Sequence, residues 1–225
     1  MIKSYMNWSG GKDSALTLYK ILNSAKYEPL RLLTIVDSQT GGVCHHNIPP
    51  ELLKSQADSI GITVDVVPVG QNPSNVQYEQ SLTSVLNRYK DMGLAASIFG
   101  DIFLEDLRQY RQDKCAQAGF EAVFPLWQQD TTQLAREFIN LGFKAVIISV
   151  DTEKLPASFA GRLYDEHFLH DLPANVDPCG ENGEFHSFTY AGPIFKQPLN
   201  FTIQTPDTDG SRFAACRLGP RTVNW

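Results

Sequence analysis

Short apolar runs and helically spaced apolar residues alternate along most of the chain. Residues 2–6 form an apolar run that predicts a buried strand, and residues 15–22 carry apolar side chains at helical spacing. The run 30–37 predicts a second strand, parallel to the first. Pro49 opens a helix through Leu52, Leu53, Gln56, Ala57 and Ile60, which Gly61 stops. Residues 62–69 predict a third strand, followed by a helix through Tyr78, Leu82, Val85, Leu86 and Tyr89 that ends near Gly93. Residues 94–99 and 120–127 read as the fourth and fifth strands. Asp130 starts a helix with Leu134, Phe138 and Leu141 on one side, stopped by Gly142, and 144–151 reads as a sixth strand. This alternation makes an α/β fold with a doubly wound parallel sheet the economical solution.

After Asp151 the rhythm changes. Residues 155–169 read as helical, with Phe159, Leu163 and Phe168 as core candidates. Residues 177–190 begin as a turn-rich loop and end as a strand. Pro193, Pro198 and Pro206 punctuate a tail of short β pieces at 194–195 and 200–203. The expected organisation is a main domain over 1–150 and a smaller α+β appendage over 151–225, packed over the mouth of the sheet.

The first loop, Trp8-Ser9-Gly10-Gly11-Lys12-Asp13-Ser14, joins the first strand to a helix N-terminus. Such a junction is a ready anion site, because unpaired N–H groups and the positive end of the helix dipole face one point. Gly10 and Gly11 let the main chain approach a phosphate closely. Lys12 adds a point charge, and Ser9 and Ser14 add hydroxyl donors. Asp13 repels phosphate unless it caps the helix or holds a metal. The pattern is not the Walker A loop, since no glycine stands at the required place before Gly11-Lys12.

Further candidates lie at the carboxyl ends of strands, where ligands of open α/β sheets bind. Asp37 either faces the nucleotide or caps the next turn. Gly100-Asp101 ends the fourth strand, and the charged stretch 105–114 follows it. A charge run is usually a solvated helix face. The position after Gly100-Asp101 favours a functional role for Arg108 and Arg111, which can grip phosphate or carboxylate with two parallel hydrogen bonds. His45 and His46 are adjacent; a joint metal role needs an irregular backbone, whereas one histidine near the phosphates or substrate does not.

Bulk properties narrow the class. The chain has 225 residues, 42% hydrophobic and 20% charged, ordinary for a globular protein. A net charge of −6 argues against a general nucleic-acid-binding surface. No apolar stretch is long enough to span a membrane, and the N-terminus runs into the strand and loop without a cleavable signal pattern. The four cysteines, Cys44, Cys115, Cys179 and Cys216, make no C-x-x-C pair, so reduced thiols and a cytoplasmic location are expected.

Three separated stretches carry a family resemblance: Ser9-Gly10-Gly11-Lys12-Asp13-Ser14; Gly100-Asp101-Ile102 with Arg108-Gln109-Tyr110-Arg111; and Cys179-Gly180-Glu181-Asn182-Gly183-Glu184-Phe185 followed by Phe188-Thr189. The first resembles the PP-loop of the N-type ATP pyrophosphatases. Together they resemble the diphthine–ammonia ligase family of PP-loop ATPases, over nearly the whole chain. The resemblance implies a Rossmann-like fold of the adenine nucleotide alpha hydrolase type and a reaction in which ATP adenylylates a carboxylate, pyrophosphate leaves, and ammonia displaces AMP to form an amide. It implies ATP and Mg²⁺ as cofactors and ammonia as nitrogen donor. The acceptor implied is a carboxylate, that of diphthine on elongation factor 2 in the family's namesake.

By the same resemblance Ser9, Gly10, Gly11, Lys12, Asp13, Ser14, Asp37, Gly100 and Arg108 would bind the nucleotide. Lys12, Asp13, Asp101, Arg111, Glu181 and Glu184 would carry the chemistry, with Asp13 and Asp101 on the metal and Glu181 or Glu184 holding metal or orienting substrate and ammonia. The closing signature departs from the family pattern at Asn182 (glycine), His186 (glutamate) and Ser187 (threonine). The nucleotide half thus carries over intact and the acceptor half altered. A PP-loop enzyme acting on a tRNA base or small molecule, and a non-catalytic nucleotide-binding protein, are the competing readings. A homo-oligomer is compatible with all three.

Overall fold

The computed structural model describes residues 1–38, 48–70, 75–207 and 212–220. Five strands form a parallel sheet in the order β3-β2-β1-β4-β5: β1 (Ile2–Asn7), β2 (Tyr27–Asp37), β3 (Thr63–Val69), β4 (Ala96–Ile98) and β5 (Glu121–Val123). Between them run α1 (Lys12–Asn23), α2 (Pro50–Ile60), α3 (Asn75–Asp91) and α4 (Glu105–Ala118). The punctuation works as the sequence predicts. Pro49 and Pro50 open α2, and Gly61 ends it in the left-handed conformation at φ +86°.

Helices cover both faces. Leu16 and Leu18 of α1, Leu52 and Leu53 of α2, and Leu134 and Phe138 of α5 (Thr131–Asn140) share one buried cluster. Val85 and Tyr89 of α3 and Cys115 of α4 join a second cluster with Tyr5 and Leu33 on the opposite face. Along α4 only Cys115 is fully buried, so its charge run is mostly solvated. From β1 the chain steps to β2 and β3 on one side, then crosses to β4 on the other. That reversal opens a crevice at the carboxyl ends of β1 and β4, the place where such sheets bind ligands.

One expectation fails here. The run 144–151 does not become a sixth parallel strand. As β6 (Lys144–Asp151) it pairs antiparallel with β7 (Phe185–Ala191) and β9 (Phe213–Ala215) in a separate sheet. After Lys144 the strand is buried at every position, so it shows no alternation to reveal what lies beside it. The two sheets therefore part ahead of Lys144. The segment 155–169 is not one helix either: it holds a 3₁₀ turn at Ala157–Phe159 and then α6 (Glu166–Asp171). Phe159 and Phe168 are core residues as expected, but Leu163 is 52% exposed. Ile194 lies in a turn, with Phe195 N–H donating to the Gly192 carbonyl, rather than in a strand. A two-stranded ribbon pairs β8 (Phe201–Ile203), which was expected, with β10 (Leu218–Pro220), which was not.

The second sheet is fastened to the first through the loop after β1. Thr189 N–H of β7 donates to the Gly10 carbonyl at 2.9 Å, and Lys12 N–H donates to Ser187 Oγ at 3.1 Å.

Candidate functional site

The loop after β1 is held from three directions. Asn7 Nδ2 donates to Ser97 Oγ and the Ile98 carbonyl, both at 3.0 Å, joining the ends of β1 and β4. Trp8 Nε1 donates to Gln56 Oε1 at 2.9 Å. The amide of Gln56, buried in α2, then donates to the carbonyls of Gly10 (3.0 Å) and Thr189 (2.6 Å). Gln56 thus links loop, helix and second sheet; nothing in the sequence pattern distinguished it from a core position.

Gly10 adopts φ +80°, and a Cβ there would stand 2.8 Å from Gln56 Oε1. Only glycine serves both demands. Gly11, the N-cap of α1, is extended and provides no side-chain cap. Ser9 Oγ accepts from Gly11 N–H at 3.3 Å and lies 3.2 Å from Ser14 Oγ, whose hydroxyl donates to the Gly11 carbonyl at 2.9 Å. The start of α1 thus has no cap from Gly11 itself, and the hydroxyls of Ser9 and Ser187 take the Gly11 and Lys12 amides at its positive end.

Lys12 is 4% exposed. Its ammonium donates to both Asp13 oxygens, at 2.7 and 2.9 Å, and to the Cys179 carbonyl. It lies 5.8 Å from the Tyr164 ring centre and 5.5 Å from that of Phe185. Burial pulls its pKa down, but the negative charge of Asp13, with Cys179 and Glu181, outweighs this and the net shift is upward. Lys12 therefore stays a cation. Asp13 does not cap the helix; it is the lysine's counter-ion.

The loop 177–184 reaches this lysine because two carboxylates, the half-buried Asp177 and the buried Glu184, shape it. Asp177 Oδ1 accepts from the N–H groups of Cys179 (2.8 Å) and Glu181 (3.3 Å), and Oδ2 accepts from Thr131 Oγ1 (2.7 Å). Sequence reasoning passed over Asp177; the available signal was an aspartate opening an Asp-Pro-Cys-Gly turn. Glu184, 1% exposed, accepts from Asp177 N–H, Asn182 N–H and Asn182 Nδ2. Burial pushes its pKa up, yet the Asn182 amide and backbone N–H groups more than compensate and it ends below the ordinary value.

Glu181 is different. Burial first, then repulsion from Asp13, pushes it up to about 8 despite Lys12, with Asp177 and Asp101 adding to the rise. The two glutamates that the sequence offered interchangeably are thus separated: Glu184 ties the loop, and Glu181 shares the field of Lys12, Asp13 and Asp101.

Gly100 brings β4 to the same point. A Cβ on it would lie 3.4 Å from the Asp13 backbone and 3.3 Å from Thr17 Oγ1. Next to it, Asp101 has a raised pKa, chiefly from burial, opposed by Arg111 and reinforced by Asp13. Arg111 Nε stands 3.2 Å from Asp101 Oδ2 as an ion pair, but neither atom makes a hydrogen bond. The Arg111 guanidinium covers the Phe99 ring at 4.6 Å. Arg108, one turn earlier on α4, lies 4.4 Å over Trp127.

The crevice therefore assembles Ser9, Gly10, Gly11, Lys12, Asp13, Ser14, Gly100, Asp101, Arg111 and Glu181. Asp37 ends β2 on the other side of β1 and pairs in register with Val69. His186 is half-buried in β7 opposite Ser149. Cys44, His45 and His46 lie outside the described residues. A groove of about 600 Å³ between α2 and the edge strand β3, lined by Pro50, Lys54, Asp58, Ile62 and Val64, stands apart from these groups.

Among the described residues, no three or more His, Cys, Asp or Glu side chains are grouped to hold a metal ion. A Mg²⁺ ion asks for less: one or two carboxylates, with water and substrate phosphates completing its octahedron. Asp13 and Asp101 fit that requirement: the charge of Asp13 adds to the rise at Asp101, and Asp101 Oδ2 is engaged only by the Arg111 ion pair, with no hydrogen bond.

Comparison with known proteins agrees along the chain. The model of the diphthamide synthase N-terminal domain matches residues 2–122, and that of the diphthamide synthase C-terminal domain matches 130–209. A diphthine–ammonia ligase of Danio rerio is 28% identical over 134 residues, 57% of this chain and 52% of that protein. One from Bos taurus is 27% identical over 217 residues, 85% of this chain and 79% of that protein. The chain thus spans about half the length of the first relative and about four fifths of the second. A solved structure described as a predicted subunit of tRNA methyltransferase from Methanocaldococcus jannaschii is 19% identical, covering 88% of this chain and 100% of that one at a TM-score of 0.44.

Proposed function

Because the chain belongs to the diphthamide synthase family, we propose that it is an ATP-dependent ligase that adenylylates a carboxylate and converts it to an amide with ammonia. The acceptor we assign is diphthine on elongation factor 2, which places the work in the cytoplasm. No helix among the described residues is long and apolar enough to cross a membrane. In this reading the residues ahead of Lys144 carry the nucleotide and those from Lys144 on, where the second sheet begins, close over it, which moves the expected boundary at 150/151 to before β6.

The supporting observation is the single ammonium on which the two motifs meet. Lys12, at the start of α1, is held by its neighbour Asp13 and by the carbonyl of Cys179 in the closing loop. Triphosphate oxygens arriving at the helix start would take over these contacts, so nucleotide binding would be felt directly by the closing loop. The acceptor carboxylate attacks the α-phosphorus, the bond to the β-phosphate oxygen breaks, and pyrophosphate leaves. Lys12 and the α1 amides stabilise the charge that builds on pyrophosphate. A Mg²⁺ ion held by Asp13 and Asp101 would supply further neutralisation of that charge.

Ammonia then attacks the acyl carbon, AMP leaves, and one proton must be removed from nitrogen. Glu181, with its pKa pushed up to about 8, is matched to accept a proton near neutral pH. Incubation with ATP, Mg²⁺, ammonium and diphthine-bearing elongation factor 2 tests the proposal. AMP, pyrophosphate and amide in equal amounts are expected. ADP as product would turn the reading to a kinase or ordinary ATPase, and tight ATP binding without any turnover would turn it to a nucleotide-binding protein.

A further inference from the structure

Seven side-chain nitrogen or oxygen atoms among the described residues are buried without a hydrogen-bond partner, and four of them lie in one layer: Asp101 Oδ2, Arg108 Nε, Arg111 Nε and Trp127 Nε1. The other three are hydroxyls of Ser4, Thr17 and Thr189. Native proteins rarely leave buried donors unpaired, and a cluster of them marks a place where a partner is missing. Three of the four are donors.

The layer is built as a stack. The Arg111 guanidinium lies 4.6 Å over Phe99; Phe99 stacks on Phe124 at 5.2 Å and 17°; Arg108 sits 5.6 Å from Phe124 and 4.4 Å over Trp127. A guanidinium packed over a ring can still turn its N–H edge to a planar, two-point acceptor. Arg111 already faces Asp101, but Arg108 has no ion pair among the described residues. Trp127 is fixed beside it by a turn that puts Gln128 at φ +56° and ties Gln128 N–H to the Ile102 carbonyl at 2.7 Å.

Position separates this layer from the phosphates. The order β1-β4-β5 puts Phe124 and Trp127, which follow β5, on the side of β4 away from the loop after β1. Asp101 feels the charge of Asp13, and Arg111 is joined to Arg108 through the Phe99–Phe124 stack, so the two adjoin both. We propose that Arg108 and Trp127, backed by Phe124, form the subsite that receives the acceptor's carboxylate and presents it alongside Asp101 and Arg111 to the nucleotide. Arg108 thereby moves from the nucleotide to the acceptor. This rests on the nucleotide occupying the loop after β1.

The test titrates the full-length chain by calorimetry with two probes, α,β-methylene-ATP with Mg²⁺ and glutarate, the latter with and without the nucleotide analogue. Arg108→Gln should weaken glutarate about tenfold or more, Trp127→Phe about threefold, and Arg108→Lys by an intermediate factor, with analogue affinity held within about twofold. Circular dichroism melts check that each variant folds; Arg108→Lys and Trp127→Phe keep the test open if Arg108→Gln does not.

Three results overturn the subsite: no saturable glutarate binding to the native chain, glutarate binding equal in native and variant chains, or a loss of analogue affinity that matches the loss for glutarate. The last would return Arg108 to the nucleotide. Failure of the underlying reading looks different. The analogue would then not bind, or would bind equally to Lys12→Ala, while glutarate measured without nucleotide still judges Arg108 and Trp127.

Discussion

The two strand ends that form the crevice are finished to different degrees. After β1, Gln56 satisfies the Gly10 and Thr189 carbonyls, Asp13 and Cys179 engage Lys12, and Ser187 takes the Lys12 amide. After β4 and β5, two guanidinium groups rest over rings and four buried polar atoms make no hydrogen bond, two of them, Arg108 Nε and Trp127 Nε1, with no ion pair either among the described residues. One side is closed by the chain's own groups; the other is preorganised but incomplete. The difference matches two tasks. A triphosphate is always the same ligand and can displace ready-made contacts, whereas a second substrate needs donors that nothing else occupies.

The comparison breaks most severely at Lys12. Lys12→Ala should lower AMP formation roughly a hundredfold or more while the chain remains folded, as followed by AMP release alongside a melting curve. Normal turnover in a folded variant would remove the loop from the chemistry. Next comes Gly10→Ala, which forces a side chain into the left-handed region and against Gln56 Oε1. A loss of about 2 kcal/mol is expected in urea denaturation; a neutral effect would mean that Gln56 does not clamp the loop.

Glu184→Gln turns one acceptor oxygen into an NH₂ facing amides that already donate. It should cost about 1–2 kcal/mol and reduce amide formation while sparing nucleotide affinity. Collapse of nucleotide affinity would make the closing loop part of the ATP site. The last prediction concerns pH. Glu181 binds its proton more tightly folded than unfolded, so its contribution to stability is full below pH 4.5 and is lost as pH rises toward about 8. Glu181→Gln should flatten that decline in urea midpoints measured across the interval; an unchanged slope would show that the carboxyl is not confined among Asp13, Asp101 and Asp177.

Local signals carried the first five strands and their helices. Pro49, Gly61 and Asp130 act where such residues act in isolation, through fixed φ, a left-handed cap and an N-cap, the last with Asp130 Oδ1 accepting from Gln133 N–H at 2.8 Å. The same logic found Ser9 to Ser14 and Gly100-Asp101, because strand-to-helix junctions are contiguous in the chain. It failed for β6, whose burial on both faces conceals the orientation of its partners, and for Leu163, whose exposure depends on a break in the helix that its spacing did not announce.

What the linear pattern determined by itself is the chemistry on offer: an anion-binding junction, carboxylates and arginines at strand ends, and a glycine-rich closing loop. Only the tertiary structure decided their assignments. It made Glu184 a loop tie and Glu181 a strained acid, turned Asp13 toward Lys12, and raised Gln56 and Asp177 from unremarked positions to clamps. The reason is physical. A residue's type sets which charge or hydrogen bond it can supply, but burial and partners set whether that capacity is consumed within the chain or left for a ligand, and those partners here can lie 175 positions away, as between Lys12 and Ser187.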